Sequence, residues 1–166
     1  NIAIKNQFVD SGRLMEYPFV EPNLDAMFEH FEELRQDADY CVGWIDAFAG
    51  GTGFGRGQIH TANYLSADAD PGGMGLRSAE KQRLPDRLFG LIPKSIMWRF
   101  VKPFAHPLGM RMINLAKVLA GQYAPGSKSP YHQTHAGFHF LLDFIPDWKL
   151  MYGRGGLIQF QPFVPA

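Results

Sequence analysis

The chain has 166 residues, 46% of them hydrophobic and 19% charged, which suits one domain with a real core and excludes a disordered polypeptide. Sixteen basic residues balance sixteen acidic ones, so no net field favours nucleic acid or an anionic membrane surface. A single cysteine, Cys41, excludes an internal disulfide framework and a zinc cluster built on cysteines.

The first twenty residues lack the basic-then-apolar order of a signal peptide, and no apolar stretch reaches the roughly 20 residues that span a bilayer. Together with the lone cysteine this sets the expectation of a soluble, cytoplasmic protein. Residues 13–20 (RLMEYPFV) alternate as a strand, with Pro18 marking an edge or an end. Asn23 is a good N-cap, and Leu24, Met27, Phe28, Phe31 and Leu34 follow at helical spacing, so a helix is predicted over about 24–36, with Asp25, Glu29, Glu32 and Glu33 facing water. Residues 40–48 (YCVGWIDAF) and 55–64 (GRGQIHTANY) read as two strands of a hairpin around a tight turn at 50–53. Residues 66–86 read as a loop. Helical spacing resumes over 88–104, broken by Pro93 and Pro103, and again over 107–119. After a loop at 122–130, residues 137–144 (GFHFLLDF) read as a strand, 146–152 as a turn or short helix, and 156–164 as a last strand. The predicted class is α+β: an antiparallel sheet covered by helices, with a helical and loop insertion in the middle.

The glycine cluster at 50–57 fits no nucleotide-binding motif and lies between two strands, where a phosphate loop would lead into a helix; a hairpin turn explains it. His132, His135 and His139 are spaced for a metal if the segment is helical, but the run into FHFLLDF favours a strand and no carboxylate or cysteine completes the set. Cys41 has no histidine beside it and reads as a small buried hydrophobe. Asp46 and Asp143 stand inside apolar strands and Asp147 close after, where an unpaired carboxylate is costly. Arg56 and Arg154 are their candidate partners, in a structural ion pair or a catalytic arrangement. Gln159 and Gln161 share one face of the last strand, where neutral amides can meet a hydroxylated substrate or simply form a polar edge.

Residues 148–161 (WKLMYGRGGLIQFQ) resemble the W-N-x-x-Y-G-x-x-G-F-x-Q-Y-Q signature of FAD-linked oxidoreductases of the vanillyl-alcohol-oxidase superfamily. Residues 40–47 (YCVGWIDA), followed by Gly55-Arg56-Gly57, resemble the Y-x-x-A-W-x-D-A … L-G-R-x motif of the same proteins, and Phe140-Leu141-Leu142-Asp143 stands where they carry H-P-L-D. The resemblance is specific over 40–64 and 138–165. Its nearest named groups are the decaprenylphosphoryl-ribose oxidases and, more distantly, the 24-dehydrosterol reductases. It implies that residues 1–166 are a fragment of the substrate-binding cap domain, with the FAD-binding domain and later cap strands outside this chain. FAD would then be held mainly by an N-terminal domain of the same polypeptide, and this chain alone would bind it weakly. It also implies that Gln159, Gln161, Trp44, Trp148 and Tyr152 contact or support the substrate pocket, that Asp46, Asp143, Arg56 and Arg154 brace it, and that hydride passes from a CH–OH group of a sugar, lactol or related alcohol to the flavin. The partners implied are that small molecule and the FAD domain. The Met- and Phe-rich middle leaves a lipid substrate or a peripheral membrane contact open. The rival readings are a standalone small-molecule binding module without redox activity and a metal-dependent enzyme built on the three histidines.

Overall fold

The computed structural model describes residues 9–88, 91–140 and 147–152. The alternating run near the start forms β1 (Arg13–Glu21). Asn23 then caps α1 (Leu24–Leu34): its backbone is extended and its side-chain oxygen accepts the Ala26 N–H at 2.9 Å. That satisfies one of the donors a helix start leaves open. β2 (Tyr40–Ile45) and β3 (Gly57–Tyr64) form the expected antiparallel hairpin. Its connection holds a 3₁₀ turn at Gly51–Gly53, and Gly51 and Gly55 adopt φ of 61° and 72°, which glycine takes without a Cβ penalty.

A helical and loop insertion follows. It contains a short antiparallel pair of two-residue strands, β4 (Arg87–Leu88) and β5 (Ile92–Pro93), then α2 (Met97–Val101) between 3₁₀ turns, then α3 (Pro107–Tyr123). Pro107 sits in the first turn of α3, where its missing N–H costs nothing. The chain returns to the sheet as β6 (Tyr131–Thr134) and turns directly into α4 (His135–His139). The architecture is α+β: a four-stranded antiparallel sheet in the order β2-β3-β1-β6, carrying helices on both faces.

Three local expectations are corrected. Helix over 88–104 forms only from residue 94, because 87–88 and 92–93 pair as β4 and β5. Residues 137–139 are helical, not extended. Thr134 accepts the Gly137 N–H at 3.1 Å and so starts a helix where the apolar run alone suggested a strand. Asp46 stands one residue past the end of β2. The rest of the expected strand at 137–144 beyond residue 140, and the whole of the one at 156–164, lie outside the described residues.

α1 covers one sheet face. Met27 is 2% exposed against Gly43 and Gly57, while Phe28, expected on the same apolar face, is 59% exposed. α3 and α4 cover the other face, where Leu14, Ala62 and Phe138 make a buried cluster flanked by Tyr40 and Tyr64. Each large apolar side chain buried this way contributes about 1.5–3 kcal/mol. Among the described residues no helix is long and apolar enough to cross a membrane.

Candidate functional site

Side chains alternate along a strand, so the pairing register decides which residues meet. Glu16 pairs with Ala62 of β3 and with Tyr131 of β6, while His60 pairs with Pro18 and Val42, and Trp44 pairs with Gln58. All of these project to the face covered by α3 and α4. Between the helices that face holds a cavity of about 250 Å³, walled by Val42, Trp44 and Phe138 and by the polar side chains of Glu16, His60 and Lys117. Apolar walls with a few converging polar groups are the usual make-up of a small-molecule site.

Glu16 is 4% exposed, in the central part of the sheet. A carboxylate there needs donors. His60 Nδ1 lies 2.7 Å from Glu16 Oε1, and Tyr131 is the cross-strand neighbour of Glu16 on β6. Burial first, and then the proximity of the Glu16 carboxylate, push the Tyr131 phenol above its ordinary range. The carboxylate can only accept, so His60 donates Nδ1–H, and the lone pair of the neutral ring falls on Nε2. Lys117, on α3, carries its ammonium 4.0 Å over the Trp44 ring. Burial lowers the pKa of that ammonium. The backbone carbonyl of Lys117 accepts Gln58 Nε2 at 2.9 Å, which ties α3 to β3 beside the cavity.

A second cluster braces the end of the hairpin. Asp46 has no exposed surface and accepts from Asn114 Nδ2 at 2.8 Å, the Phe48 N–H at 3.0 Å, and Arg56 Nε and Nη2 at 3.2 and 3.0 Å. Burial alone would raise its pKa, but the hydrogen bonds from Asn114, Phe48 and Arg56 outweigh it and hold the carboxyl below its usual value. A third cluster closes the start of β1 onto the loop: Asp70 accepts Ser11 Oγ at 2.6 Å and Arg13 Nε at 2.9 Å, and Arg13 Nη2 reaches its other oxygen. At the far end of the cavity face the Tyr40 and Tyr64 hydroxyls bond to each other, which with burial pushes Tyr64 up to about 12.

Of the residues the sequence singled out, Trp44 stands in the cavity wall and Asp46 and Arg56 form the ion pair just described. Trp148 opens and Tyr152 closes a 3₁₀ turn beside α2, and Tyr152 is half-buried outside the cavity wall. Asp143, Arg154, Gln159 and Gln161 lie outside the described residues. His135 and His139 stack with rings 6.4 Å apart on α4, whereas His132 pairs with Met15 on the opposite sheet face. Among the described residues no group of three or more histidine, cysteine or acidic side chains is placed to hold a metal ion. Burial pushes the Cys41 thiol up, which keeps it protonated and unreactive. Glu16, His60, Tyr131 and Lys117 gave no motif in the sequence. The buried position of an acid in a strand otherwise apolar on that side was the signal for Glu16.

The cavity is the size of a small substrate. The glycine-rich turn at 50–57 leads from strand to strand, so the described residues offer no helix start to cradle a dinucleotide's phosphates there. No family model, no curated protein and no solved structure matches this chain.

Proposed function

We propose that this chain is the substrate-binding part of a flavin-dependent oxidoreductase that takes hydride from a CH–OH carbon of a sugar, lactol or related alcohol. The observation that carries the reading is Trp44. It belongs to the run at 40–47 that resembles the flavoenzyme motif, and its ring is a wall of the substrate-sized cavity beside an acid, an imidazole and an ammonium. In this reading FAD is carried mainly by a separate domain of the same polypeptide. The chain's own part is to orient the alcohol and keep water from the reacting carbon.

The test is an anaerobic titration of the full gene product with pentoses, hexoses and short alcohols. The expected outcome is a protein that carries flavin and whose flavin absorbance bleaches with at least one of them. Trp44→Ala should raise KM about tenfold, the loss of one anchoring aromatic contact, with a smaller change in kcat. A product that holds no flavin sinks the reading. A second reading, a binding module without redox activity, is favoured by one feature: all four strands of the sheet and both helices on that face contribute to the cavity wall. Sugar binding by a flavin-free product would select it.

A further inference from the structure

We propose that His60 is the group that receives a ligand hydroxyl in the sheet-face cavity, with Glu16 as its positioning carboxylate. The inference deepens the oxidoreductase reading and rests on it for the ligand class, an alcohol or sugar.

Three observations converge. Glu16 is buried on the cavity face and paired with His60 at 2.7 Å, so the carboxylate fixes the imidazole from the neighbouring strand. Nδ1–H donation to Glu16 leaves the acceptor lone pair of His60 on Nε2. That nitrogen has no hydrogen-bond partner among the described residues and is not buried. His60 also lines the cavity, next to the Trp44 wall. A fixed acceptor beside a cavity with a Trp44 wall and further polar side chains is what an O–H donor needs. A carboxylate behind the imidazole also stabilises the imidazolium that forms if the proton is transferred. In an alcohol oxidation a bound flavin would supply the hydride acceptor, the O–H electron pair would become the second C–O bond, and His60 Nε2 would take the proton.

The molecule contains its own control. His30 Nδ1 lies 2.6 Å from Glu21 Oε1, the same pair of side chains, but on the other sheet face, where the ring meets Phe19 edge-on. That pair has no part in the cavity. If histidine–glutamate pairing in this fold is only bracing, the two should respond alike to substitution.

The experiment uses the full gene product labelled with ¹⁵N-histidine, titrated with D-xylose, D-arabinose and D-glucose and their single-deoxy analogues, while heat-flow titration gives each Kd. A parent sugar should move the His60 Nε2 resonance, and the analogue lacking the recognised hydroxyl should bind about tenfold more weakly, one hydrogen bond's worth. His60→Gln should erase most of that discrimination, Glu16→Gln should reduce it, and His30→Gln should leave it intact. The Nε2 signal is read on the unsubstituted protein, so the proposal stays testable even where a variant fails to fold. Failure of every sugar to bind, an unmoved Nε2 signal on binding, or equal behaviour of His60→Gln and His30→Gln overturns it. A flavin-free product that still shows the Nε2 response retains this inference and removes only the oxidoreductase reading.

Discussion

A carboxylate with no exposed surface has to find donors, and Asp46 finds four from three residues on separate stretches of chain: Phe48 in the turn after β2, Arg56 just before β3, and Asn114 on α3. Removing the acid would leave the Asn114 amide and the Arg56 guanidinium facing a void. Breaking a buried pair from one side costs about 3–5 kcal/mol. Arg56 keeps 26% of its side chain in solvent and can recover some hydration, which places Asp46→Ala near the lower end, about 3 kcal/mol. Asn114→Ala removes one hydrogen bond to a charged acceptor and should cost about 1.5–3 kcal/mol. Urea unfolding of the two variants checks both values, and a loss under about 1 kcal/mol for Asp46→Ala would show that the cluster is solvated and not a brace. The sequence offers Arg56, with Arg154, as a candidate partner, because an acid inside an apolar strand needs a cation within reach. It does not offer Asn114, since nothing in a helical stretch marks which amide will face a hairpin nearly seventy residues earlier.

At the scale of elements, the contact between α1 and the hairpin is set by how closely the backbone of β3 approaches its neighbours. A Cβ on Gly57 would fall on the Trp44 carbonyl oxygen and on the methyl of Met27. Trp44 is a neighbour in the strand ladder and Met27 is the most buried residue of α1, so neither can give way cheaply. Gly57→Ala should therefore destabilise the fold by about 1–3 kcal/mol, the usual cost of overpacking, and should lower the thermal midpoint. Gly50, which has nothing near it, tolerates the same change. The elements legible in the sequence were those whose signals are local. α1 had its cap and its apolar spacing, β1 its alternation, and the hairpin its glycine turn. β6 and α4 were not legible. β6 is four residues long and exists through pairing with Arg13–Glu16, more than a hundred residues earlier. α4 depends on a threonine cap ahead of an apolar run that reads as a strand. The site follows the same rule. Trp44 stands out only through the resemblance of the run at 40–47, whereas Glu16, His60 and Tyr131 converge only once the register between β1, β3 and β6 is known, and Lys117 only once α3 is laid across that face.

For the whole molecule, the buried ionisable groups set how stability depends on pH. Asp46 and Asp70 lock opposite ends of the sheet, one joining the hairpin to α3 and the other joining the start of β1 to the loop after β3. Hydrogen bonds from Arg13 and Ser11 hold Asp70 below its usual value, and those to Asp46 do the same against its burial. In the unfolded chain both carboxyls titrate near the ordinary aspartate value, about 3.9. As pH falls, the unfolded chain takes up these protons first, so the stability they contribute is present above about pH 4 and is lost as pH falls through the lower folded-state values. His135 acts earlier. Burial lowers its pKa most and His139 lowers it further, against the raising effect of its bond to the Ser11 carbonyl. The unfolded chain again binds the proton first, so this contribution starts to fade as pH drops through the ordinary histidine value, about 6.5. The unfolding midpoint in urea should therefore decline in two stages, a shallow one from about pH 6.5 and a steep one below about pH 4. His135→Gln should flatten the first stage and leave the second. Asp46→Asn with Asp70→Asn should start from a lower stability and lose most of the second stage while keeping the first. A single acid transition unchanged by either set would mean that these buried groups do not carry the pH dependence, and that protonation of exposed carboxylates and the repulsion among the remaining positive charges do.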